Sequence, residues 1–141
     1  MNTTVLVAGS TRDALTRVRE AWGEPSIDAA IRHALREATP TATALWQRHR
    51  RQAEKAAARH GVTRLIAFGS RVRGDRHPAS DLDLVVEMPT EGGMGALFAL
   101  RDDLSRILGV RADLGDMPPP ESRLWQRIRE EGVALVGPPP R

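Results

Sequence analysis

Apolar residues recur along this chain with two periods, and the alternation between them predicts the elements. Val5 and Val7 alternate with Thr4, Leu6 and Ala8, the period of a strand with one apolar and one mixed face. Ser10 and Asp13 then have the spacing of a helix-capping box, and Ala14, Leu15, Val18, Ala21 and Trp22 follow at helical intervals. Gly23-Glu24-Pro25 breaks that helix and Ser26 caps a second. The second helix carries a stripe of Ile27, Ala30, Ile31, Ala34 and Leu35 and ends near Thr39-Pro40. Thr41 to His60 reads as one long amphipathic helix, with Leu45, Trp46, His49, Ala53, Ala56 and Ala57 on one face, stopped by Gly61. The short apolar runs Leu65–Phe68 and Leu84–Val86 fit buried strands. A loop over 88–93 leads to a helix through Leu97, Leu100, Leu104, Ile107 and Leu108, which Gly109 ends. Val110–Leu114 is a further strand. Pro118-Pro119-Pro120 precedes a last helix, Glu121–Glu131, and Val133–Val136 closes the pattern as a strand. The proline-rich tail, 138–141, is expected to be extended and mobile.

Composition narrows the class without naming the chemistry. The 141 residues are 28% charged and 40% hydrophobic, the balance of an ordinary globular chain. There is no cysteine, which excludes disulfides and thiolate metal sites. No apolar run reaches membrane-spanning length and no signal-like segment opens the sequence, so a cytoplasmic location without membrane contact is expected. Twenty of the 21 basic residues are arginine, a bias better ascribed to genome composition than to function. Residues 1–60 carry 10 basic and 6 acidic side chains and residues 61–141 carry 11 and 12, so the net +3 sits on the N-terminal part. That is compatible with nucleic acid and proves nothing alone. The chain has no tyrosine.

The chemistry concentrates in IAFGSRVRGDRHPASDLDLVV, residues 66–86. In an extended strand Asp81 and Asp83 present both carboxylates on one face, about 7 Å apart along the backbone, while Leu82 and Leu84 point into a core. Two adjacent carboxylates without a basic residue between them suit a hard divalent cation, and Mg²⁺ is the natural occupant. Gly69 lets backbone approach a phosphate closely, and the Ser70 hydroxyl with the following amides can donate to its oxygens. Arg71, Arg73 and Arg76 lie within reach of the same anion. Gly9-Ser10 repeats the dipeptide without an Asp-x-Asp at the required distance and is a decoy. The four histidines show no metal-ligand spacing.

Gly69-Ser70 followed after ten residues by Asp81-x-Asp83, with Arg71, Arg73-Gly74 and Ser80, resembles the signature of the polymerase β-like nucleotidyltransferases, in the form seen in minimal nucleotidyltransferases. The closing IREEGVALVG resembles their C-terminal end, so the resemblance covers 61–141, with 44–60 as a leading helix. It implies an α+β domain over 41–137, a mixed sheet with flanking helices. It also implies a third catalytic carboxylate on the strand after the long helix. Asp113 matches that place, with Asp116 as the alternative in a looser, loop-like setting. Carried over by position, Gly69, Ser70, Arg71 and Arg73 would hold the nucleotide phosphates. Asp81, Asp83 and Asp113 would be catalytic and hold Mg²⁺, with Asp113 activating the acceptor.

The first 38 residues, a strand and two short helices, cannot bury a core alone. Thr4-Val5-x-Val7, Thr11-Arg12-Asp13-x-Leu15 and Gly23-x-x-Ser26-x-Asp28-x-Ala30-Ile31 resemble the ribbon-helix-helix family, which implies a β-α-α segment that dimerises by pairing strands. In that family the strands enter the DNA major groove, so Thr4, Leu6 and Ala8 would face bases and Ser26 would sit at a phosphate clamp. Leu6 stands where an Arg or Lys is usual, and it can touch a thymine methyl without hydrogen-bonding guanine. Dimerisation is thus the better-supported half of this reading.

Together the resemblances imply an antitoxin that transfers AMP from ATP to a hydroxyl, a tyrosine in the typical case, of a partner HEPN-type toxin. A chain without tyrosine would find that acceptor on its partner. The alternative is a dimeric DNA-binding antitoxin, regulating its own operator, whose nucleotidyltransferase domain only binds the partner.

Overall fold

The computed structural model describes Thr4 and residues 6–141. The elements follow the hydrophobic pattern closely from residue 26 onward. Helices α1 (Gly9–Trp22) and α2 (Ile27–Ala38) come first, then α3 (Ala42–Arg48), α4 (Arg50–Arg59) and strand β1 (Arg64–Phe68). Next are β2 (Leu82–Glu87), a 3-10 turn at Thr90–Gly92, α5 (Gly93–Leu108), β3 (Ala112–Asp116), α6 (Arg123–Glu131) and β4 (Val133–Val136). Among the described residues, no helix is long and apolar enough to cross a membrane.

The four strands form one mixed sheet in the order β3-β2-β1-β4. β1 runs antiparallel to both neighbours, while β2 and β3 are parallel, joined by the crossover through α5. Strand alternation divides the sheet into two unequal faces. Leu65, Ala67, Leu82, Leu84, Val86, Ala112 and Leu114 belong to the main core with α3, α4 and α5, including Trp46, Ala53, Leu97, Leu100 and Leu104. The opposite face carries a small cluster of Ile66 and Val85 against Trp125 and Ile128 of α6, with Phe68 and Met117 partly buried at its margin. One short helix covers little of that face. The α+β fold is therefore as the sequence implies.

Four details differ from the pattern. The helix expected over 41–60 is two, because His49 leaves helical geometry at φ −114°, ψ 21° and separates α3 from α4. α1 starts at Gly9 with Ala8 as its N-cap, so Ser10 lies inside the helix and caps nothing. The third strand lies two residues further on than the apolar run suggests, at Ala112–Asp116, because its register is set by pairing with β2. The tail is tied back, Arg64 donating to the carbonyls of Pro138 at 3.2 Å and Pro139 at 2.7 Å.

Among the described residues no N-terminal strand is seen. Thr4, Leu6, Val7 and Ala8 carry no strand pairing, and Val5 lies outside the described residues. α2 forms as expected, with Ser26 Oγ accepting from Ala29 N–H at 3.1 Å. The apolar stripe of α2, however, meets little of the chain itself: only Ala30 is buried, Ile31 and Leu35 are exposed, and α1 buries no residue.

Candidate active site

The site grows from the turn that ends β1. Phe68, the last residue of β1, pairs with Asp83 across the sheet, so the chain leaves the strand beside that carboxylate. Gly69 then adopts φ +78°, and a Cβ built there would overlap Asp83 Oδ2. Only glycine supplies both the left-handed backbone and the space. The carbonyl of Gly69 accepts from Val72 N–H and Arg73 N–H, each at 3.0 Å. These bonds close the turn and leave the Ser70 hydroxyl and the Ser70 and Arg71 amides outside its internal bonding.

The carboxylates come from three backbone positions in register. Asp83 of β2 is the Cα partner of Asp113 in parallel β3, so both stand on the face that α6 only partly covers. Asp81 lies just before β2, two residues from Asp83 and in the same phase. Burial pushes the Asp83 carboxyl above the usual aspartate range, and the neighbouring charges of Asp113 and Asp81 add to it, against Arg127 and Arg73. Asp116 is out of phase with Asp113 and lines a 200 Å³ cavity with Met88, Met94 and Leu97 on the other side of the sheet. Asp113 thus shares the face of Asp83, and Asp116 does not.

The arginines divide by partner. Arg71 is 2% exposed and is spent on the loop: Nε donates to Ser80 O at 3.0 Å, Nη1 to Pro40 O at 3.2 Å and Nη2 to Pro78 O at 3.5 Å. It ties the 70–81 loop to the segment before α3, and Arg76 reinforces the tie through Thr39 O at 2.8 Å. Neither side chain is presented to the turn, contrary to the expectation that both reach its anion. Arg73 does lie at the site, but its Nη1 meets both oxygens of Glu131 at 3.1 and 3.0 Å, and its Nε and Nη2 meet Asp75 at 3.1 and 3.3 Å. Glu131 also accepts the Gly69 N–H at 3.1 Å. Sequence reasoning missed Glu131 and Arg127. Their only signal is a spacing of four on α6, which also describes a surface ion pair.

The donor set fits a hard divalent cation. No described Arg, Lys or His closes on Asp81, Asp83 or Asp113 to within ion-pair distance. Nor, among the described residues, do three or more His, Cys, Asp or Glu side chains already converge as a ligand set. Mg²⁺ characteristically takes one or two carboxylates and completes its shell from phosphate oxygens and water. A turn with unbonded amides beside mutually repelling carboxylates has the donor types that such a cation takes.

Comparisons with known proteins identify the family that carries this site. Residues 49–134 match the family described as nucleotidyltransferase domain. A Methanocaldococcus jannaschii protein named "Putative protein adenylyltransferase" is 31% identical over 78 residues, spanning 55% of this chain and 84% of the relative. The fold also matches a solved "Structure of putative minimal nucleotidyltransferase", with TM-score 0.51 and 31% identity over 63% of this chain and 93% of that one. A "toxin-antitoxin with AMP-PNP" superimposes with TM-score 0.53 at 24% identity, covering 62% of this chain and 73% of its own. The turn, the paired strands and their carboxylates all lie within the matched span, and the chain belongs to the nucleotidyltransferase domain family.

Proposed function

We propose that this nucleotidyltransferase is a protein adenylyltransferase antitoxin, moving AMP from ATP with Mg²⁺ onto a tyrosine hydroxyl of a HEPN-type toxin and so neutralising it. The observation that carries the catalytic part is the register of Asp83 with Asp113 beside the Gly69–Ser70 turn, with no described cation paired to either carboxylate. The choice of AMP draws on the adenylyltransferase name of the Methanocaldococcus relative. The choice of partner draws on the toxin–antitoxin whose fold the chain shares. Tyrosine is absent from these 141 residues, so a tyrosine acceptor lies outside them.

In this reading the Ser70 hydroxyl and the amides of Ser70 and Arg71 hold the departing phosphates. Asp81 and Asp83 supply carboxylate oxygens to Mg²⁺, which when bound neutralises charge on the triphosphate. Asp113 takes the proton from the acceptor hydroxyl. The acceptor oxygen forms a bond to the α-phosphorus as the bond to the β-phosphate oxygen breaks, and pyrophosphate leaves. The Arg71 guanidinium serves as a loop tie, leaving only its backbone amide for phosphate.

The exposed stripe of α2 and the unburied α1 support a second element of the proposal, a homodimer through residues 1–38. Operator DNA would then meet Thr4 and Leu6, with Ser26 at the N-terminus of α2. Leu6 offers no hydrogen bond to a base, so binding would rest on phosphate contacts and fall steeply with salt. The catalytic and partner assignments are tested by incubating the chain with ATP, Mg²⁺ and the product of the neighbouring gene. Added AMP mass on a tyrosine of that product is expected. An unmodified partner that is still inhibited would favour the reading in which the domain only binds.

A further inference from the structure

We infer that Glu131 is a positioning residue for the nucleotide turn: its carboxylate fixes Gly69 and holds Arg73 away from the aspartates. The inference rests on the nucleotidyl-transfer reading of the site.

Three hydrogen bonds converge on this one side chain, which is 18% exposed. They come from Gly69 N–H at 3.1 Å and from Arg73 Nη1 to Oε1 and Oε2 at 3.1 and 3.0 Å. Arg127 Nη2 approaches Oε1 at 3.6 Å from one turn back along α6. Burial opposes the charge, yet the bonds from Arg73 and Gly69 and the two arginine charges outweigh it and hold the Glu131 carboxyl below its usual range. The group is therefore ionised at neutral pH. Its own position is set firmly, because α6 stops at the next residue with Gly132 N–H on Ile128 O at 2.7 Å, and β4 then enters the sheet beside β1. Glu131 thus joins a fixed point of the sheet to the first amide of the turn.

Arg73 is nearly saturated by this arrangement. A guanidinium has five N–H groups, and Glu131 and Asp75 engage Nη1, Nε and Nη2. A fork of two parallel donors is not left over for a phosphate. Arg73 and Arg127 are also the two cations whose fields act on Asp83. Were Glu131 neutral, Arg127 would lose its carboxylate and Arg73 would keep only that of Asp75, so both would be freer to turn toward the aspartates that the divalent cation requires. The charge on Glu131 keeps those aspartates unpaired, while its bond to Gly69 keeps the turn directed past Asp83.

The opposite role is equally concrete. If Arg73 were a phosphate ligand and Glu131 its resting competitor, removing the charge would tighten nucleotide binding. The experiment measures, on the full chain, the affinity for AMP-PNP with Mg²⁺ and the affinity for Mn²⁺ alone, in wild type, Glu131→Gln and Glu131→Asp. Glu131→Gln keeps an acceptor for Gly69 but loses the charge, so both affinities should fall, by about tenfold for a charge-assisted bond. Glu131→Asp retains the charge and should recover part of the Mn²⁺ affinity even where its shorter reach loosens the turn. Unchanged or tighter binding in Glu131→Gln overturns the inference. Should Glu131→Gln not fold, Glu131→Asp decides: Mn²⁺ affinity no better than that of Asp83→Asn overturns the inference. Failure of wild type to bind AMP-PNP at all removes the nucleotide reading itself, a result distinct from a variant that matches a binding wild type.

Discussion

Asp83 and Asp113 stand opposite each other on the parallel strands β2 and β3, and that pairing, with burial, places a charge at Asp83 that the fold itself does not favour. The folded-state pKa of Asp83 is raised, so its contribution to stability is fully present below the unfolded pKa and is lost as pH rises through the folded value. At neutral pH without divalent ions, Asp83→Asn should be at least as stable as wild type. The difference should shrink to nothing as pH falls below the ordinary aspartate range. Chemical denaturation at several pH values in the presence of a chelator checks this, and marked destabilisation of Asp83→Asn at pH 7 would contradict it.

Gly69→Ala meets two obstacles at once, the positive φ and the Asp83 oxygen in the space of the new Cβ. A loss of about 1–3 kcal/mol in unfolding free energy is expected, on the scale of a strained backbone site. Nucleotide affinity should fall with it, since the turn has to move to admit the methyl group. Gly9, inside α1 with nothing near its Cβ, is the control. Gly9→Ala should be neutral or slightly stabilising.

Arg71 is a structural residue in this account. Its guanidinium holds three backbone carbonyls from Pro40, Pro78 and Ser80 in a buried setting. Arg71→Ala should cost about 2–4 kcal/mol of stability, because buried acceptors lose their partners. Arg71→Lys restores one charge but not the fork and should recover only part of it. Thermal melts separate this from a phosphate-binding role, in which stability would stand and nucleotide affinity alone would drop.

Much of the site was legible in the sequence because its chemistry is local. Gly69, Ser70, Asp81 and Asp83 lie within fifteen residues, and strand periodicity puts both aspartates in phase. Asp113 needed the register of β3, which an apolar run placed two residues early. What stayed hidden was partner choice. Nothing in the residue type tells an arginine that meets phosphate from one that meets a carbonyl, and Arg71 found Pro40, thirty-one residues away. Glu131 finds Gly69 across sixty-two residues, a contact only the closed sheet creates. The break at His49 has neither glycine nor proline to announce it.

The exposed stripe of α2 predicts self-association. Ile31 and Leu35 are 38% and 40% exposed on a helix with a single buried residue. The full chain should sediment as a dimer at micromolar concentration, and Ile31→Glu with Leu35→Glu should make it a monomer with its catalytic domain intact. A wild-type monomer at that concentration would end the dimer reading.

Transfer of label from α-labelled ATP tests the central claim most directly. With Mg²⁺ and the product of the neighbouring gene, the wild-type chain should move label onto a tyrosine of that product. Asp83→Asn, still folded, should transfer at a rate lower by roughly 100-fold or more, the scale of losing a group that stabilises transition-state charge. Undiminished transfer by Asp83→Asn, or no labelling of the partner by wild type with any of the four nucleoside triphosphates, would contradict the account.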